Sequence, residues 1–217
     1  MRKLFTFCFI FIFSALFVNA QITKGSLFLG GGIGYGSQKS NTNAGTSISK
    51  QNNFFINPAI GVAVKENTIV GGDLNFDTQK RENIYNDNEK YNDNSYGGGI
   101  YIRKYLPVAK RFYIFGQGRI GVNYNDGKTS QPVDYRATSK GYDINIGIYP
   151  GVSFQLNNKL HLETGFNNLL YAKYGHTKAK TSLPGNETST TTNLFSAGTS
   201  LNGFSSLYVG FRLLLAK

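Results

Sequence analysis

Residues 142–156 read YDINIGIYPGVSFQL. Apolar side chains take every even position: Tyr142, Ile144, Ile146, Ile148, Pro150, Val152, Phe154 and Leu156. The odd positions carry Asp143, Asn145, Gly147, Tyr149, Gly151, Ser153 and Gln155. Successive side chains of a strand point to opposite faces, so this stretch predicts a strand with one greasy face and one face of small and polar residues. The fold turns on what covers the greasy face.

The same alternation recurs along the chain. Residues 26–37 set Leu27, Leu29, Ile33 and Tyr35 against Phe28, Gly30, Gly32, Gly34 and Gly36, and residues 54–64 set Phe54, Ile56, Ile60, Val62 and Val64 against Asn57, Ala59, Gly61 and Ala63. Segments 68–77, 96–106, 111–124, 160–171 and 204–215 repeat it, which with residues 142–156 predicts eight strands. Three connections are short: Lys65-Glu66-Asn67, the stretch from Pro107 to Lys110, and Asn157-Asn158-Lys159. The segments near residues 38–53, 78–95, 125–141 and 172–203 are long, rich in Asn, Ser, Thr, Lys and Gly, and read as solvated loops.

A soluble sandwich also alternates apolar and polar residues, so the minority face decides. Its glycines and serines, with scattered Arg, Asp, Glu and Tyr, are an odd choice for a solvent surface. They suit the crowded interior of a narrow barrel, where small residues make room for large ones. The greasy face then meets lipid, and Tyr35, Phe54, Tyr96, Phe112, Tyr124, Tyr142 and Phe154 at the strand ends supply interfacial aromatic girdles.

The first residues agree with export. Arg2 and Lys3 precede an apolar run from Leu4 to Val18 and the small-residue site Val18-Asn19-Ala20. The run is shorter than the roughly 20 residues a spanning helix needs, so residues 1–20 read as a cleaved signal peptide and residues 21–217 as one domain. The single cysteine, Cys8, lies inside the leader, so disulfide scaffolds and cysteine-ligated metal sites are excluded from the mature chain. Without Arg2 and Lys3 the chain keeps 21 of its 23 basic residues against 12 acidic ones, a net +9. Export argues against nucleic acid as the partner of that charge and favours anionic lipid or polysaccharide.

On these features the chain resembles the small outer-membrane β-barrel proteins of Gram-negative bacteria, the OmpA/OmpX-like eight-stranded, porin-family-like group. The leader ending Val18-Asn19-Ala20, the passage GGGIYIRKYLPVAKRFYIFGQGRIGVNY at residues 97–124 and the closing SLYVGFRLLLAK carry the resemblance. It implies an all-β, eight-stranded antiparallel up-and-down transmembrane β-barrel in the cell outer membrane, monomeric, with both termini in the periplasm. Expected partners are membrane lipid, lipopolysaccharide and the barrel assembly machinery. That group usually ends in an aromatic residue, whereas this chain ends Leu215-Ala216-Lys217 with Phe211 as its last aromatic.

Ionised side chains inside a narrow barrel must find partners. Pairing neighbouring strands in order sets Glu163 level with Arg212 and puts Arg103 at similar depth, so Glu163, Arg103 and Arg212 are expected to cluster, with Arg119, Asp73 and Asp143 higher up. A structural plug is the expected role of this cluster, and a gated ion path the alternative.

Chemical motifs are weak. Gly116-Gln117-Gly118-Arg119-Ile120-Gly121 matches a dinucleotide fingerprint, but VNYNDGK continues the strand where a phosphate site needs a helix N-terminus. His161 falls on the interior face and His176 in the last long segment, neither with a second histidine at ligand spacing. Ser95, Ser153, Ser205 and Ser206 offer no nucleophile motif. Asp87, Glu89 and Asp93 are oxygen ligands without the spacing of a calcium loop, and Asn186-Glu187-Thr188 is a sequon of no consequence in a bacterial host. Lys39, Lys50, Lys128, Arg136, Lys140, Lys173, Lys178 and Lys180 fall in the outer segments and are placed to meet anionic lipopolysaccharide or to serve solubility. No cofactor and no catalysis are expected. The expected role is a structural or surface-interaction one, with a narrow pore or small-molecule carrier as the alternative.

Overall fold

The computed structural model describes residues 22–41, 48–84, 89–131, 135–166, 169–183, 185–199 and 207–215. The expected leader, residues 1–20, lies outside them. Ten strands follow one another: β1 (Leu27–Asn41), β2 (Ile48–Lys65), β3 (Thr68–Ile84), β4 (Glu89–Ala109), β5 (Phe112–Ser130), β6 (Arg136–Gln155), β7 (Leu160–Phe166), β8 (Leu170–Leu183), β9 (Asn186–Thr199) and β10 (Leu207–Leu215). All pairings are antiparallel. Each of β1 to β6 pairs with the next, β6 pairs with β7 through its lower half, β7 with β10, and β10 with β1. The ring closes with eight strands around its lower half, an all-β up-and-down barrel of the transmembrane kind.

Two expectations about the elements are corrected. The segment read as one strand over residues 160–171 is two: β7 pairs with residues 151–155 of β6, whereas β8 pairs with residues 136–148 and carries β9 on its far side. The start expected at residue 204 lies outside the described residues, and the strand there is β10. The four segments read as long loops are in large part strand. The ladder continues through Lys39↔Lys50, Gln79↔Asp93, Lys128↔Thr138 and Thr181↔Thr188. Above the apolar belt both faces meet water, so the alternation that marks a strand disappears while backbone pairing goes on. The Thr-rich β9, NETSTTTNLFSAGT, is strand by the propensity of threonine rather than by pattern.

Burial runs opposite to that of a water-soluble fold. Ile100 is 69 % exposed and Ile102 54 %, while Tyr101 between them is 4 % exposed and Arg103 1 %. The outward side chains form a belt in cross-strand rows: Ile60↔Gly72↔Ile100↔Ile120↔Ile146 is one, and Val62↔Val70↔Ile102 another. Its upper edge is a row in which Phe76, Tyr96, Tyr124, Tyr142 and His176 stand side by side. The rings of Tyr96 and Tyr124 lie 5.4 Å apart, and Tyr142 and His176 stack at 5.4 Å. At the lower edge Phe112 and Phe154 are cross-strand partners with ring centroids 6.4 Å apart. From Phe112 to Tyr124 a strand rises about 40 Å, which at the usual barrel tilt is about 30 Å along the axis. That height matches a bilayer's hydrocarbon core of roughly 30 Å. Tyr35 and Phe54, paired with each other, stand one outward position above this upper edge.

The lower interior is packed solid. Ile22, Phe28, Ala63, Ile69, Tyr101, Tyr105, Tyr113, Phe115 and Leu214 form one buried cluster. The segment before β1 tucks beneath it: the Ile22 amide donates to Asn67 Oδ1 at 2.9 Å, and the Asn67 amide donates back to the Ile22 carbonyl at 3.0 Å. Asn67 adopts φ 56° in the tight β2–β3 turn, a conformation asparagine tolerates better than most residues.

Candidate functional site: the charged interior

The floor of the barrel is built around Glu163, which is 0 % exposed on β7. Arg103 of β4 places Nη1 2.6 Å from Glu163 Oε2, and Arg212 of β10 donates from Nε to the same oxygen at 3.0 Å. The Tyr105 hydroxyl donates to Oε1 at 2.6 Å, and Arg103 Nε donates to Gln117 Oε1 at 2.8 Å. The Arg103 guanidinium also lies 4.4 Å above the Phe115 ring, and that of Arg212 5.4 Å from the Phe28 ring. The strand register sets Glu163 opposite Gly210 and Arg212 opposite His161, so the Arg212–Glu163 bond runs diagonally rather than level. Gly30 opposite Arg212 makes room for it: a Cβ there meets Arg212 Cδ and the Phe211 carbonyl.

A second layer lies higher. Arg119 of β5 grips Asp73 of β3 with a fork of bonds, Nη2 to Oδ1 at 2.6 Å and Nε to Oδ2 at 2.8 Å, the planar geometry that suits arginine and carboxylate. Its Nη1 donates to Asn145 Oδ1 at 2.9 Å. Gly99 and Gly121 flank the guanidinium, where a side chain at either position collides with it. The third layer centres on Asp143 of β6, which accepts from Asn123 at 2.9 Å and Asn125 at 2.8 Å and pairs with Lys173 Nζ at 3.2 Å. Between and above these layers a polar cavity of about 580 Å³ is lined by Asp73, Asn75, Arg119, Asp143, Asn145 and Lys173, among others.

All six sequence-predicted interior residues therefore face inward, in three layers: Arg103, Glu163 and Arg212, then Arg119 with Asp73, then Asp143. The sequence reading set Gln117, Asn75, Asn123 and Asn145 on the inward face without naming them as partners of the charges, and did not single out Tyr105, which shares the inward parity of Arg103 on β4. Lys173 is a correction. Assigned to an outer loop, it sits in β8 and reaches inward to Asp143, because β8 keeps the parity that turns Leu170 and Tyr174 outward.

The remaining motif residues fall as follows. The stretch from Gly116 to Gly121 lies within β5, with no helix after it. His161 accepts from or donates to Ser153 at 3.1 Å between Oγ and Nδ1, a nucleophile-to-base distance, but the two are 2 % and 0 % exposed below the cavity. His176 Nδ1 lies 2.8 Å from Asn193 Oδ1. Asp87, Ser205 and Ser206 lie outside the described residues, and Glu89 accepts from the Gln131 amide at 2.8 Å. Among the described residues no group of three or more His, Cys, Asp or Glu is placed to hold a metal.

No protein-family model matches the chain, and no curated protein matches it. Among solved structures it is similar to Neisserial surface protein A, at 14 % identity and TM-score 0.40 over 90 % of this chain and 99 % of that one. It is also similar to a major outer membrane protein from Thermus thermophilus, at 12 % identity and TM-score 0.40 over 91 % of this chain and all of that one. At that level of similarity the fold rests on the strand pairings themselves.

Proposed function

We propose that the chain is an integral outer-membrane β-barrel with a non-enzymatic role, closed to ions by its charged floor and presenting a stiff crown of paired strands to the cell's surroundings. The observation that carries this reading is the inverted burial: isoleucine and valine outside, arginine, aspartate and glutamate inside. In water such a belt is an aggregation surface far larger than the few hundred Å² a soluble monomer exposes. In lipid it is the ordinary outer face of a barrel. A soluble carrier of apolar ligands needs the opposite arrangement, because Asp73, Arg119, Asp143 and several asparagines line the cavity among its aromatic residues.

The crown follows from the ladders that run on past Tyr96, Tyr124 and Tyr142 into β4, β5 and β6. Surface partners meet extended, hydrogen-bonded strands whose side-chain positions are fixed. The experiment is migration of the membrane-fractionated protein on a detergent gel, boiled beside unboiled. A heat-dependent shift in the outer-membrane fraction supports the reading; soluble protein without a shift overturns it.

A narrow pore or small-molecule carrier is the second reading, favoured by the cavity of about 580 Å³. Single-channel recording separates the two. The closed reading expects no steady conductance, since the Glu163 layer and the aromatic cluster beneath it leave no path through eight strands. Steady conductance sensitive to Arg103 or Glu163 supports the pore.

A further inference from the structure

Immediately above the aromatic row, the outward face of β5, β6 and β8 changes from apolar to cationic. Lys140 and Lys178 are direct cross-strand partners, one outward position above the stacked Tyr142–His176 pair. One position higher, Lys128 and Lys180 flank Thr138 on either side. Neighbouring strands lie about 4.8 Å apart, so these four lysines spring from a patch about 10 Å wide. Arg136 stands above them, and all five side chains are exposed.

The charge is not neutralised within the protein. Among the described residues Lys128, Lys140 and Lys178 make no ion pair, and Lys180 reaches only Glu187 at 3.7 Å, with both side chains more than half exposed. Asp126 is the cross-strand neighbour of Lys140 on the other side. Five cations thus face two carboxylates. Setting Lys140 directly opposite Lys178 costs stability in a sheet, since like charges face each other. An occupant that brings negative charge removes that cost.

The direction of the patch selects the occupant. Its side chains point sideways, continuing the outward face of the belt, and they start about 5 to 10 Å above the aromatic row. A soluble partner arriving from outside meets the strand tips first. What lies beside this surface at that height is the headgroup layer of neighbouring lipids, with Tyr142 and His176 at the boundary below.

We infer that Lys128, Lys140, Lys178 and Lys180 form a binding site for a phosphorylated lipid headgroup of the outer leaflet. The inference rests on the membrane reading above. Each lysine near an anionic lipid surface contributes about fivefold in affinity. The test uses the full chain in non-ionic detergent, with native mass spectrometry counting retained lipid. The probes are a bisphosphorylated disaccharide lipid, its dephosphorylated form, and inorganic phosphate as competitor.

The wild-type protein should retain the phosphorylated lipid well over the dephosphorylated one. The paired substitution Lys140→Gln with Lys178→Gln should lower that retention about 25-fold, and inorganic phosphate at equal concentration should not compete. Equal retention of the two lipids, or no change in the paired variant, overturns the site. Full competition by inorganic phosphate overturns the lipid as its occupant. The heat-dependent gel shift is read on every variant: its loss from wild type as well contradicts the membrane reading itself, whereas its retention in a variant that loses lipid assigns the loss to the patch.

Discussion

Arg103 and Glu163 stand on β4 and β7, two strands that β5 and β6 separate in the ring, yet Arg103 Nη1 and Glu163 Oε2 are 2.6 Å apart and both side chains are at most 2 % exposed. The bond spans the barrel floor. With Arg212 on β10 it ties three strands to one carboxylate, close to where the ring closes between β10 and β1.

Removing the carboxylate leaves two buried guanidinium groups without their counter-charge. Glu163→Ala should cost about 3–5 kcal/mol of stability, read by denaturant unfolding of the folded protein in detergent. Replacing Arg103 and Glu163 together with apolar residues of similar volume should cost much less than the sum of the single changes. Additive losses, or an unchanged Glu163→Ala, contradict the pairing.

The second layer is less buried and joined by a forked pair. Asp73→Ala should cost about 2–3 kcal/mol. Asp73→Asn, which keeps one acceptor for Arg119, should cost less. A double-mutant cycle between Asp73 and Arg119 measures the coupling, and a value near zero contradicts a structural role for the fork.

Gly121 is small because the Arg119 side chain lies across it. Gly121→Ala should displace the guanidinium and destabilise by about 1–3 kcal/mol, the usual cost of overpacking. Gly116 has open space around its missing Cβ, so Gly116→Ala should be tolerated. Equal effects at the two positions contradict the layered interior.

The crown carries a titrating contact well above the belt. The Tyr91 hydroxyl, with help from Gln131 and Asn83, holds the Glu89 carboxyl below its usual value of 4.5, while hydrogen bonding to Glu89 pushes the Tyr91 phenol up. A carboxylate depressed in the folded state stabilises above its unfolded pKa, and that contribution is lost as pH falls through the folded value. The contact between Glu89 at the start of β4 and Gln131 just after β5 should therefore weaken only on acidification below the ordinary carboxylate range. Carbon-detected NMR of Glu89 should show a midpoint below 4.5 that rises in Tyr91→Phe; a midpoint at or above the ordinary value contradicts the contact.

Much of the belt was legible because burial and lipid exposure enforce a two-residue period, and residues 142–156 display it without a break. The three short turns were legible for the same reason: they separate alternating runs. The crown was not, because a strand wet on both faces has no reason to alternate. ISKQNN at the start of β2 and EKYNDN at the start of β4 carry no apolar contrast, yet their backbones pair. Parity alone fixed which charges point inward, so Arg103, Glu163 and Arg212 could be grouped from sequence. It failed at Lys173, whose surroundings were read as loop and given no parity. The division of residues 160–171 into β7 and β8 has no counterpart in the apolar pattern, since Phe166 and Leu170 both keep the outward phase.

The sequence contains no tryptophan, so one introduced at a time reports its own surroundings. Single substitutions Ile120→Trp and Ile146→Trp, in the middle of the belt, are compared with Thr138→Trp in the crown, in bilayers of brominated and unbrominated lipid. A membrane-embedded barrel gives blue-shifted emission, strongly quenched by bromine at 120 and 146, with redder and far less quenched emission at 138. Unquenched emission at both belt positions would contradict it.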